Sequence, residues 1–181
     1  MEGIGIWWAV AGGWAIDLWL GRVTREHHDI EIAIRRGDQL ILHEALCDSW
    51  NLSCLDPPST SWRPWLRSHT IEAPAFQIKA RRDEDEFDVF LETMGEEQWV
   101  FRRDDRIRRP RHALTVGSDS GIPVIAPEVQ LLYMATSLDV KNEGDFDNAS
   151  EQLDQRSARW LSGALAHAHP DHPWLARLPA T

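Results

Sequence analysis

The sequence predicts an α/β (α+β) fold, a small mixed β-sheet flanked by helices and followed by a helical C-terminal part. Three observations lead there. Strand-like segments IWWAVA (6–11), DIEIAI (29–34), FQIKA (76–80) and FDVFL (87–91) recur in the first 120 residues, alternating or wholly apolar. The pair Gly12-Gly13 breaks the first of them and opens a helical pattern. Beyond about residue 121 the apolar positions take mostly helical spacing. The reading gives an α/β domain over 1–120 and a helical part over 121–181 packed on it.

The elements follow in order. Ile6–Ala11 reads as a strand buried on both faces. Trp14–Leu20 is a short helix with Ile16, Trp19 and Leu20 at helical spacing and Gly21 as its C-cap. Asp29–Ile34 alternates, so Asp29 and Glu31 share one face and Ile30, Ile32 and Ile34 bury the other. Asp38 caps a helix running to about Asp48, with Leu40, Ile41, Ala45 and Leu46 as its buried stripe. Asn51–Leu55 is a short strand. Asp56–Pro74, rich in Pro, Ser and Trp, reads as a lid or binding loop with Trp62 and Trp65 near the substrate. Phe76–Ala80 and Phe87–Leu91 are strands separated by the charged stretch RRDEDE, and Gln98–Arg102 returns after a turn at Gly95. A strand at Ile122–Ala126 precedes a helix with Pro127 in its first turn. KNEGDFDNASEQL and SARWLSGALAHAH form two more helices, and Trp174 anchors the proline-punctuated end.

Composition excludes several functions. The chain has 181 residues and a formal net charge of -10, without the basic footprint of a nucleic-acid binder. No apolar run approaches the roughly 20 residues of a membrane span. The start lacks a basic n-region and a cleavage site. Cys47 and Cys54, the only cysteines, are too few for a disulfide framework or a zinc cage. The expectation is a cytoplasmic protein with no nucleic-acid or membrane partner, monomer or homodimer. Ten tryptophans supply either core filling or flat faces for stacking.

The chemistry concentrates in Ala9–Ile34. Two carboxylates about 6–7 Å apart on one strand face make a claw for a divalent cation. Gly12-Gly13 lets backbone approach something bulky and anionic, and the helix that follows points free N–H groups at it. Metal plus phosphate is the reading. The His27-His28-Asp29 triplet with His43 admits a metallohydrolase, but adjacent histidines on a strand point to opposite faces. The arginines from Arg102 to Arg111 could hold phosphate through bidentate contacts, but the interleaved Asp104 and Asp105 favour a salt-bridged, solvated surface.

The string GGWAIDLWLGRVTREHHDIEIAI resembles the signature of the aminoglycoside and lincosamide nucleotidyltransferases, a branch of the nucleotidyltransferase superfamily. Gly12, Gly13, Asp29 and Glu31 fill its core pattern, with Glu31 where the family usually has Asp. Trp14, Asp17, Gly21, Thr24, Arg25 and His27 fit the longer form. FRRDDRIRRP, GIPVIAPEVQLLY and HPDHPWLARL are similar to segments of bacterial relatives in this branch. The resemblance implies a nucleotidyltransferase fold and a third carboxylate on a neighbouring strand. Asp88 in FDVFLE is the choice, as metal ligand, base or both, with Glu86 and Glu92 as fallbacks. It implies Mg²⁺ (two ions) held by Asp29, Glu31 and Asp88, and ATP or another NTP bound by Gly12, Gly13, Trp14, Thr24 and Arg25, while Lys141 could reach the nucleotide from the helical half. The implied reaction moves a nucleoside monophosphate, AMP from ATP, onto a hydroxyl of an aminoglycoside- or lincosamide-like small molecule. An acidic surface lining the cleft would suit a polycationic aminoglycoside. The alternative is a catalytically silent member that binds a nucleotide or a protein partner.

Overall fold

The computed structural model describes residues 1, 3–58 and 61–179. In chain order the elements are β1 (Trp8–Ala11), α1 (Gly12–Leu20), β2 (Glu31–Arg35), α2 (Gln39–Leu46), β3 (Asn51–Leu55), β4 (Trp62–Pro64), β5 (Gln77–Arg82) and β6 (Asp85–Met94). There follow β7 (Gln98–Val100), β8 (Arg108–Pro110), β9 (Thr115–Gly117), β10 (Pro123–Ile125), α3 (Pro127–Met134), α4 (Val140–Ser150) and α5 (Gln155–Ala168). One mixed sheet runs β4-β3-β5-β6-β2-β1-β10-β9, with β7 and β8 extending from β6. The β1–β10 and β2–β6 pairs are parallel and the others antiparallel.

Alternation along the strands sorts the core into two layers. Ile32, Ile34, Ile78, Ala80, Val89 and Leu91 pack with Leu42 of α2 and with Trp65 and Ile71. On the other face Ala9, Ala11 and Ala33 pack with Leu131, Leu132, Leu161 and Leu165 of α3 and α5. Small alanines there let the C-terminal helices approach the sheet closely. Gly21 ends α1 with φ 67, the left-handed conformation that favours glycine.

Several expectations need correction. Strand pairing of β2 begins at Glu31, so Asp29 and Ile30 precede it, and Ile30 is 53% exposed. The buried side of α2 is Gln39, Leu42 and His43, whereas Leu40, Ile41 and Ala45 are exposed. Asp38 lies in a short 3-10 turn and makes no side-chain cap. RRDEDE is the end of a hairpin, not a connection: Arg81 faces Glu86 and Arg82 faces Asp85 across the turn. The 56–74 loop divides into β4 and a packed return. Its Ser59 and Thr60 lie outside the described residues. Trp65 is a core residue, edge-on to the His43 ring and donating its indole N–H to the His69 carbonyl at 2.9 Å. Trp62 alone of the two remains on the surface.

Candidate active site

One row of residues crosses the sheet in register: Ala11, Glu31, Asp88, Lys79, Ser53 and Pro64. Neighbouring strands lie about 4.7–4.9 Å apart, so Glu31 and Asp88 are side by side. The glycine pair stands at the Ala11 end. Gly12 opens α1 with φ 66, and a Cβ there would sit 1.6 Å from Oε2 of Glu31. A Cβ on Gly13 would lie 2.0 Å from a guanidinium nitrogen of Arg25. The two glycines therefore make room for the carboxylate and the arginine. The backbone N–H of Gly12 donates to Oε1 of Gln130 on α3 at 3.0 Å.

Burial, then Asp29 and Asp88, push the Glu31 carboxyl up to about 7. Burial also raises Asp88, against Lys79 and Gln77, which pull it down. Gln77 donates to Oδ2 of Asp88 at 3.2 Å, and the Lys79 ammonium is 3.5 Å from Oδ1. That Oδ1 is buried without a hydrogen-bond partner. These are crowded, oxygen-only donors with an unsatisfied lone pair, and a hard divalent cation fits them. Among the described residues no three His, Cys, Asp or Glu side chains are gathered closely enough to form a ready-made cage. Lys79 supplies the local positive charge.

A cavity of about 250 Å³ opens between this end of the sheet and helices α3 and α4. Gly12, Gly13, Arg25, Asp29, Glu31 and Lys141 line it together. So do the fallback carboxylate Glu92, Arg102 and Arg103 of the arginine cluster, and Gln130, Tyr133 and Asn142, which the sequence did not single out. Arg25 bonds both oxygens of the fully buried Asp145 of α4, each at 2.9 Å, which keeps its guanidinium firmly charged. Arg102 lies 4.1 Å from the Phe76 and Tyr133 ring centres and bonds Glu92 at 3.0 Å. Glu92 also accepts from the Tyr133 hydroxyl at 2.7 Å and the Trp99 indole at 2.6 Å. Burial, then Glu92, drives the Tyr133 hydroxyl well above its ordinary pKa and keeps it protonated.

The arginine-rich stretch is thus split. Arg106 and Arg108 bond Asp104 and the Asp105 carbonyl on the surface, while Arg102 and Arg103 face the cavity. The cavity is not acidic, since Arg25, Arg102, Arg103 and Lys141 stand against Asp29, Glu31 and Glu92. Asp88, Trp14 and Thr24 do not line it. The Trp14 ring stacks on His27 at 4.4 Å. Thr24 gives its hydroxyl and its N–H to Asp17 at 2.5 and 3.0 Å, and His27 Nε2 meets Asp17 at 2.6 Å. Burial works to raise the Asp17 carboxyl, but these hydrogen bonds outweigh it and lower its pKa. Asp17 therefore fixes the 22–28 connection, which leads to Arg25 and the exposed Asp29 at the cavity. His27 is part of that scaffold.

The model of the aminoglycoside-2''-adenylyltransferase family matches residues 1–133. The chain belongs to this family. As a member it is a nucleotidyltransferase, an enzyme of the antibiotic-modifying branch. No curated protein matches the sequence. Among solved structures, the lincosamide antibiotic adenylyltransferase LnuA, bound to lincomycin, is similar at TM-score 0.59 and 18% identity, over 84% of this chain and 90% of that one. ANT(2'')-Ia in complex with adenylyl-2''-tobramycin is similar at TM-score 0.59 and 15% identity, over 90% and 88%. The solution structure of ANT(2'')-Ia gives TM-score 0.54 and 17% identity, over 92% and 89%. These likenesses show a shared nucleotidyltransferase fold. No helix among the described residues is long and apolar enough to cross a membrane.

Proposed function

We propose that this family member transfers AMP from ATP to a hydroxyl of a small molecule of the aminoglycoside or lincosamide kind, releasing pyrophosphate. The observation that carries the reading is the Glu31–Asp88 register beside Gly12-Gly13, with Asp29 at the cavity mouth. Asp29, Glu31 and Asp88 would hold two Mg²⁺ ions, which would supply neutralisation of phosphate charge and acidification of the acceptor hydroxyl. Asp88 takes the proton of the acceptor hydroxyl at its carboxylate. Gly12 and Gly13 allow the phosphates close to the backbone. Arg25, Arg102, Arg103 and Lys141 receive their negative charge. Glu92, Tyr133 and the flanking rings fix Arg102 before substrate arrives, so no reorganisation opposes the reaction.

Residues 1–120 carry the carboxylates, and 121–181 close the cavity through α3 and α4. The protein works as a soluble cytoplasmic enzyme. The test is pyrophosphate release from ATP and Mg²⁺ with lincosamides and aminoglycosides as acceptors. Acceptor-dependent release supports the reading. Nucleotide binding without release from any acceptor contradicts it.

A further inference from the structure

We propose that the C-terminal turn Pro173–Arg177 positions the nucleotide site from behind: it grips α4, and through α4 it fixes Arg25 and Lys141 at the cavity. This rests on the transferase reading above and gives that site two positioning residues, Trp174 and Arg177, neither of which lines the cavity. Helix α4 has little of its own to hold it. Its 11 residues read VKNEGDFDNAS, with Gly144 in the middle, and only Asp145, Phe146 and Ala149 are buried. Glycine weakens a helix interior, and three buried positions make no broad apolar stripe. Val140, its first residue, is 90% exposed. Yet Lys141 and Asn142 line the cavity. Residues three and four apart share a helix face, so Lys141, Asp145 and Asn148 stand together. Asp145 holds Arg25, and Asn148 accepts from Arg22 at 3.0 Å.

Glu143, Phe146 and Asp147 form the opposite face, and the C-terminal turn takes it. The Trp174 ring stacks on Phe146 at 4.1 Å and 11°, and its indole N–H donates to Oε1 of Glu143 at 2.8 Å. The Arg177 guanidinium lies 4.5 Å from the Phe146 ring centre and bonds Glu143 at 3.4 Å, and Asp147 as well. Trp174 is itself fully buried, and its backbone N–H donates to Nδ1 of His172 at 3.3 Å. Helix α4 is thus held between two sets of contacts, one to the 22–25 connection and one to the chain end. Loosening the second lets α4 move and takes Lys141 and the Asp145–Arg25 pair with it.

The test compares wild type with Arg177→Gln, Arg177→Lys and Trp174→Phe, by calorimetric binding of a non-hydrolysable ATP analogue with Mg²⁺ and by pyrophosphate release with ATP. Arg177→Gln removes the charge that grips Glu143 and Asp147. Trp174→Phe removes the indole bond and keeps a ring against Phe146. Each should weaken the analogue and raise KM for ATP about three- to ten-fold. The kcat and the KM for acceptor should stay within about two-fold of wild type. Arg177→Lys, which keeps the charge, should recover most of the affinity. In an Asp145→Ala background Arg177→Gln should add little, because the route through α4 is already broken. A lowered melting temperature with unchanged analogue affinity makes the turn a stabiliser only and overturns the proposal. So does an effect of Arg177→Gln that adds in full to that of Asp145→Ala. Arg177 is exposed, so its variants keep the fold and carry the test even where Trp174→Phe does not. If wild type binds the analogue but releases no pyrophosphate with any acceptor, the transferase reading fails, and the binding measurements still decide the role of the turn. Failure of wild type to bind the analogue overturns both readings.

Discussion

Glu31 is the residue on which stability and function pull in opposite directions. Its carboxyl is raised from 4.5 to about 7 by burial and by Asp29 and Asp88. Between those two values the folded state binds more protons than the unfolded chain, so stability falls as pH rises through this window. Above it the ionised carboxylate carries its full penalty. Glu31→Gln removes that penalty. We expect the metal-free variant to gain on the order of 2 kcal/mol over wild type at pH 8, less at pH 5, while losing activity. Urea unfolding at the two pH values checks this, and an equal gain at both would contradict it. Gly12 is constrained from the same side. Gly12→Ala puts a Cβ where the Glu31 carboxylate lies and forces alanine into φ 66. The backbone cost is about 1–2 kcal/mol. The larger effect is a displaced carboxylate, read as loss of turnover in steady-state assays of a protein that still melts cooperatively.

At the level of elements, the helical part is fastened to the glycine turn by Arg25–Asp145, by Gly12–Gln130 and by Arg22–Asn148 at 3.0 Å. Asp145 is fully buried while a quarter of the Arg25 side chain is exposed, so the arginine can recover some solvation when its partner is lost. Asp145→Ala should then cost about 2–3 kcal/mol, the lower side of the range for a broken buried pair. It should also raise KM for ATP more than it lowers kcat. A changed kcat with an unchanged KM would place the pair outside nucleotide binding. Trp65 belongs to the packing of β3, β5 and α2. Trp65→Ala is expected to cost about 3–5 kcal/mol in chemical denaturation.

Gly12-Gly13 at the head of α1 and the strand position of Glu31 were legible from local pattern, and the resemblance pointed to Asp88 on the neighbouring strand; period two misplaced Asp29, which precedes β2. The two tryptophans of the 56–74 loop were not separable, since only the fold decides that Trp65 turns in under His43 and Trp62 stays out. Arg102 looked like one member of a solvated charge run. Its cage comes from Phe76, Tyr133 and Glu92, which lie far apart in the chain. Asp145 carried no signal either, because its partner Arg25 is 120 positions away. Thr24 fitted the signature, yet it serves Asp17 and not the cavity, so a matched pattern position can be scaffold.

In the whole molecule, the central pairings bring Glu31 of β2 and Asp88 of β6 side by side, and helices α3 and α4 close a cavity lined by Glu31, Asp29 and Glu92 together with four cationic side chains. The net charge of -10 belongs to the outer surface and not to that cavity. On the proposed reading, Asp29, Glu31 and Asp88 would hold the metal that nucleotidyl transfer needs. The most direct measurement is Mg²⁺-dependent, acceptor-dependent pyrophosphate release by wild type beside Asp29→Asn, with both melting temperatures recorded. Release from wild type should vanish without Mg²⁺ and fall at least about 100-fold in the variant. Asp29 is exposed, so the melting temperature should stay close to wild type. Undiminished release by a folded Asp29→Asn protein would contradict the claim.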